Sequence, residues 1–152
     1  MKRTRVIIAT VLALAAIAVP AAPAPAAEAV PTVTFTLLTP LPTHLAVGET
    51  AVIGVHVKSS EPFVMAIALS DAYYPGRGVS FDGSPAHPGG TSADLYLTVT
   101  GRASTAGLAA VENWPAEEDW AAGAAPLAVR AGARFPGGAV ASASFLFAVV
   151  VA

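Results

Sequence analysis

The sequence predicts an all-β protein: an antiparallel β-sandwich of about seven short strands, preceded by a segment that is not part of the fold. Three observations predict it. Beyond position 30, apolar and polar residues alternate one by one in run after run, the period of a strand with one buried face. β-branched and aromatic side chains dominate those runs, as pleated surfaces favour. Gly- and Pro-containing pairs punctuate the runs at short intervals, and no strand–helix alternation of the kind that builds a parallel sheet is present.

The N-terminal segment reads as an export signal. Lys2, Arg3 and Arg5 form a basic start, Val6 to Val19 is a mostly apolar run, and Pro20 ends it. Ala24-Pro25-Ala26 then offers small residues at the two positions a signal peptidase reads. The run is short of the roughly 20 apolar residues a membrane span needs. The expected organisation is a signal peptide over 1–26, a short linker over 27–31 and one domain over 32–152. Removal of the signal takes three of the eight basic residues and none of the ten acids. The exported chain is then acidic, with no membrane span after cleavage. Phe145 to Ala152 is too short to cross a bilayer, and the C-terminus carries no sorting or lipid motif.

The strands follow in order. Val33, Phe35 and Leu37 alternate with Thr32, Thr34 and Thr36. Thr39-Pro40-Leu41-Pro42 interrupts that run, and Leu45 and Val47 resume it. Ala51, Ile53, Val55 and Val57 form the second stripe, and Phe63, Met65, Ile67 and Leu69 the third. Val79 and Phe81 suggest a short fourth strand. Leu95, Leu97 and Val99 form the fifth, and Leu127, Val129, Ala131, Ala133 and Phe135 the sixth. Ala143, Phe145, Phe147, Val149 and Val151 form the last. Pro75-Gly76, Asp82-Gly83 and Pro88-Gly89-Gly90 mark turns. Pro136-Gly137-Gly138 joins the final two strands as a hairpin, where glycine supplies the positive φ such turns need. One stretch differs. Glu112 to Gly123 holds Trp114, Pro115, three consecutive acids and Trp120. Proline and acids suit a helical first turn, so a helix of one or two turns is expected there, with Gly123 as its stop. Ala106 to Val111 reads as an extra short strand or a connection over the core.

Two stretches resemble a known family. Leu45-Ala-Val-Gly48-Glu49-Thr50-Ala-Val-Ile-Gly-Val-His-Val57 is similar to the lead-in to the second strand of bacterial immunoglobulin-like domains. The closing hairpin, Leu127 to Val151, resembles the last two strands of immunoglobulin-like and fibronectin type III-like modules. The antibody-type cysteine pair is missing, so the resemblance is to the cysteine-free bacterial branch. It implies an immunoglobulin-like sandwich that is exported and used for adhesion, spacing or ligand display. It implies no catalytic residue, because the family has no single activity.

Composition excludes several chemistries. The absence of cysteine removes disulfides, thiolate metal sites and a Cys nucleophile. Eight basic residues against ten acids speak against a nucleic-acid partner. Ser80, in Gly78-Val-Ser-Phe-Asp-Gly83, lacks the second glycine and the strand-to-helix context of a nucleophile elbow. Glu117, Glu118 and Asp119 are adjacent and read as a solvated face rather than a carboxylate pair. His44, His56 and His87 show no close metal-ligand spacing. His56 faces away from the expected core, and the other two read as loop residues. No cofactor is expected.

Binding by exposed aromatics remains. Tyr73, Tyr74 and Arg77 share one predicted loop, and Trp114 and Trp120 share another connection. Tyr, Trp and Arg are the side chains most enriched at interface hot spots. The same rings also cap the open ends of small sandwiches, with their polar tips wet. The functional expectation is a non-catalytic interaction module for a protein or glycan partner at the cell envelope. The alternative is an exported copper or zinc carrier using His44, His56, His87 or Met65.

Overall fold

In a computed structural model of the chain, the residues described are 23, 31–72, 78–83, 85–114 and 118–152. The expected export signal therefore lies outside the described residues, apart from Pro23. Nine strands form: β1 (Val33–Leu37), β2 (His44–Leu45), β3 (Thr50–Ser59), β4 (Met65–Ala72), β5 (Val79–Asp82), β6 (Ala86–Pro88), β7 (Ser92–Gly101), β8 (Ala125–Arg134) and β9 (Val140–Val151). There is no helix among the described residues. The strands make two sheets, ordered β1-β3-β7-β5 and β2-β9-β8-β4-β6. Every pairing is antiparallel except β2 with β9.

The sequence alternation explains the two layers. Ile53, Val55 and Val57 of β3 and Leu95, Leu97 and Val99 of β7 are buried from one sheet. Leu127 and Val129 of β8 and Phe147, Val149 and Val151 of β9 are buried from the other. Between these positions, His56, Lys58, Asp94, Thr98 and Arg130 turn away from the core, where their polar groups keep water contact. Stacking two such faces removes both apolar surfaces from water at once, the main gain in folding. Gly137 and Gly138 close the β8–β9 hairpin at φ of 86° and 92°.

Four sequence expectations are corrected. The third stripe points the wrong way. Phe63 is buried, but a bend at Val64 resets the phase before β4 begins. Ala66 and Ala68 then face the core opposite Ala133 and Ala131, and Leu69 is exposed. Both faces of β4 are apolar, so alternation fixes that they differ and not which is inside.

Leu45 and Val47 do not resume the first strand. The Thr39–Pro42 break carries the chain to the other sheet, where β2 lies beside the end of β9. His44 and His87, read as loop residues, belong to β2 and to β6, a three-residue edge strand.

The helix expected over Glu112 to Gly123 does not form at its described residues. Val111 and Trp120 make an antiparallel bridge instead, and Asn113 adopts a left-handed φ of 55°. A helix of one or two turns carries an unfavourable nucleation cost, whereas the bridge buries Val111.

Candidate functional site

Three connections leave the same end of the sandwich. β4 finishes at Ala72, which is opposite Leu127 near the start of β8. β5 begins at Val79, opposite Gly101 at the finish of β7. Gly101 also accepts a hydrogen bond from the N–H of Gly48 (2.8 Å) in the turn between β2 and β3. So the end of β4, the starts of β3, β5 and β8 and the end of β7 meet at this end of the two sheets, and the C-terminus of β9 lies there too. Connections of this kind are where scaffolds place binding residues.

Backbone hydrogen bonds fasten the connections to one another. The carbonyl of Gly78 accepts from the N–H groups of Arg102 (2.7 Å) and Ala103 (3.3 Å). Gly78 needs to be glycine: its φ is 77°, and a Cβ there would stand 2.6 Å from the Ala103 carbonyl oxygen. Arg102 then reaches across, donating from Nε to Ser80 Oγ at 2.6 Å, with a second guanidinium nitrogen 3.7 Å from Asp82. Ser80 is thus bound to an arginine rather than to a base.

The 102–124 connection is an anchored arm. At its foot Thr105 is fully buried. Its Oγ1 donates to the Gly123 carbonyl (2.7 Å) and accepts from the Val151 N–H (2.9 Å), while its own N–H donates to the Val151 carbonyl (3.0 Å). The two legs then run together. Gly123 N–H donates to Leu108 (2.9 Å), Val111 and Trp120 exchange N–H···O bonds, and Trp114 N–H donates to Glu118 (2.9 Å). Asp119 accepts from the Asn113 N–H (3.0 Å), so this acid holds the arm as well as facing water. Both tryptophans are half-buried, and Trp120 Nε1 donates to the Trp114 carbonyl at 2.6 Å. Each ring therefore keeps part of its surface in solvent on a braced backbone.

Replacing Thr105 with valine is expected to cost about 2 kcal/mol, because it leaves the Val151 N–H and the Gly123 carbonyl without their buried partner. The chain's two tryptophans both lie in the arm. Intrinsic fluorescence anisotropy should therefore fall in the variant below its melting transition. An unchanged anisotropy together with an unchanged melting temperature would show that Thr105 does not hold the arm.

Tyr73, Tyr74 and Arg77 lie outside the described residues. The strands that bracket them, β4 and β5, end and begin at the end that carries Trp114 and Trp120. The histidines are not brought together. His44 and His87 lie on strands at opposite edges of one sheet, and His56 is in the other sheet. Each ring nitrogen Nδ1 has its own neighbour: Thr43 Oγ1 for His44 (3.0 Å), Asp94 Oδ1 for His56 (2.5 Å) and the Gly89 carbonyl for His87 (3.0 Å). Met65 and His87 are near in register but project to opposite faces, since Met65 pairs with Pro88 and His87 with Ala66. No group of three metal-ligating carboxylates and histidines forms among the described residues.

Sequence reasoning missed the close approach of Tyr96 to Gly54. Tyr96 is half-exposed on the outer face of the four-stranded sheet, with its ring over Gly54 of the paired strand. A Cβ at Gly54 would meet the ring at 2.8 Å. The signal available was a glycine in the middle of a strand, which marks a close approach. A shallow recess of about 340 Å³ at the opposite end of the sandwich is lined by Thr32, Thr34, Lys58, Ser59 and Ser60. Its hydroxyl groups already bond to the backbone of Thr32, Lys58 and Glu61. No protein-family model matches the chain, and no match is found among curated proteins.

Proposed function

We propose that the chain is an exported, non-catalytic interaction module of the immunoglobulin-like type. It holds a protein or glycan partner at the cell envelope through the end of the sandwich marked by Gly101. The observation that carries the reading is the shared end. The register of β4 with β8 and of β5 with β7 supports it: Ala72 and Val79, the nearest strand residues on either side of Tyr73, Tyr74 and Arg77, both lie at the end from which the arm of Trp114 and Trp120 departs. Aromatic rings and an arginine grouped on a braced frame suit stacking on a sugar or filling a partner's apolar pocket. The export half of the reading rests on the basic start, apolar run and small-residue site of residues 1–26. The immunoglobulin-like half is supported by a four-stranded sheet facing a five-stranded one with a cysteine-free core.

The test uses the domain after signal removal as bait for native envelope material. Alanine at Tyr73, Tyr74 and Arg77 together should weaken capture about tenfold or more and leave the melting temperature nearly unchanged. Full capture alongside a large loss of stability would show that these side chains pack the fold instead.

A further inference from the structure

The free edge of β9 carries an inference independent of the Gly101 end. β9 pairs with β8 along one edge from Val140 to Val149. On its other edge β2 covers only Val150 and Val151. The Val150 N–H donates to Thr43 and the Ala152 N–H to Leu45, so even-numbered residues aim their backbone groups towards that side. By the two-residue period, the N–H and C=O groups of Ser142, Ser144, Leu146 and Ala148 point the same way. They have no backbone partner among the described residues. The other edge strands are short: five residues in β1, four in β5, three in β6 and two in β2. β9 has twelve residues and contains no charge and no proline, so the usual devices that block edge pairing are missing.

We propose that the occupant of this edge is the β9 of a second copy of the same chain, running antiparallel across a twofold axis at Phe145. The open window, Ser142 to Ala148, is centred on Phe145, so a twofold there uses all of it. Ser142 then lies opposite Ala148 of the other copy and Ser144 opposite Leu146, and each outward N–H meets a carbonyl. Phe145 meets its own counterpart in a non-hydrogen-bonded pair, where side chains approach most closely and aromatic pairs stabilise. Phe145 is half-buried, opposite buried Val129 and packed against the core, so the joined edge also covers apolar surface. With no charge on β9, two copies meet there without like-charge repulsion. The two five-stranded sheets become one sheet of ten, an isologous contact of the sort closed dimers use.

Sedimentation of the domain after signal removal, up to about 0.5 mM, reads the mass; amide hydrogen exchange reads the surface. The expected result is a dimer at high concentration with Ser142, Ser144, Leu146 and Ala148 amides protected there and exchanging freely on dilution. The chain has no cysteine, so Phe145→Cys should oxidise to a disulfide-linked dimer, as paired Cα atoms at such a position allow. If that variant does not fold, the exchange pattern of the unaltered chain decides. A monomer throughout the range overturns the proposal. So does a dimer whose even-numbered β9 amides gain no protection, or protection that arises only when foreign protein is added.

Discussion

Replacing Gly101 with valine is expected to lower the unfolding free energy by about 3 kcal/mol, among the larger effects of a single substitution. Gly101 closes β7 with little space around its α-carbon. A Cβ there would stand 2.6 Å from the Ala46 carbonyl oxygen, 3.0 Å from Val151 Cγ1 and 3.3 Å from Leu45 Cβ. The oxygen cannot move aside freely. Gly101 N–H donates to Glu49 (3.0 Å) and its carbonyl accepts from Gly48 (2.8 Å), so the 46–49 turn is fixed on both sides. Glu49 holds it further, its carboxylate accepting from the Ala46 N–H at 2.7 Å. Making room for valine would push this turn off β7 and pull β2 from β9. Urea unfolding should show a lower midpoint with an unchanged slope. A loss below about 1 kcal/mol would mean that the turn yields and that this end is not rigidly assembled.

Leu97→Ala is expected to cost about 2–5 kcal/mol. Leu97 is 1% exposed and sits in β7, which is flanked by β3 and β5. Its direct neighbour across the β3 pairing is Ile53, also fully buried. Pairing with β3 at Leu97 and with β5 from the next residue, Thr98, fixes the backbone, so the site has little freedom to collapse around the cavity. Against the 5–15 kcal/mol typical of a single domain, that loss is a large fraction of the total. Thermal unfolding followed by circular dichroism measures it. Tyr96→Ala next to it provides the contrast: Tyr96 is 51% exposed, with its ring over Gly54, so it should cost far less. Equal effects from the two substitutions would contradict the inside–outside assignment of β7.

What the sequence made legible was the layer structure. Where one face is apolar and the other polar, as in Val55-His56-Val57-Lys58 or Leu95-Tyr96-Leu97-Thr98-Val99, burial follows the alternation residue by residue. Where both faces are apolar, alternation alone loses its direction. In β4 the alanines take the core because they meet the alanines of β8, and that depends on register with a strand some sixty residues away. Strand switching was also hidden. The Thr39–Pro42 break reads as an interruption, yet Thr39 Oγ1 bonds to the Val52 carbonyl and the Gly54 N–H, and the chain leaves for the other sheet from there.

The candidate site was legible in its residue types and not in its assembly. Tyr, Trp and Arg in two connections can be read from a line of letters. That the strand ends flanking those connections, in β4, β5, β7 and β8, lie at one end requires the pairings. Thr105 left no trace in the sequence, since a lone threonine in a connection looks like any other. Its role comes from three hydrogen bonds to Val151 and Gly123, far along the chain. The arm misled because proline and clustered acids also open helices, while the competing pairing of Val111 with Trp120 is invisible to local rules.

The most direct test installs a photoreactive side chain at one position per variant and identifies what it captures in native envelope material. Positions 74 and 114 probe the two connections at the Gly101 end, and positions 64 and 138 probe the opposite end. The prediction is one and the same partner cross-linked from both 74 and 114, and none from 64 or 138. Capture of that partner from 64 or 138 instead would contradict the proposed placing of the binding surface.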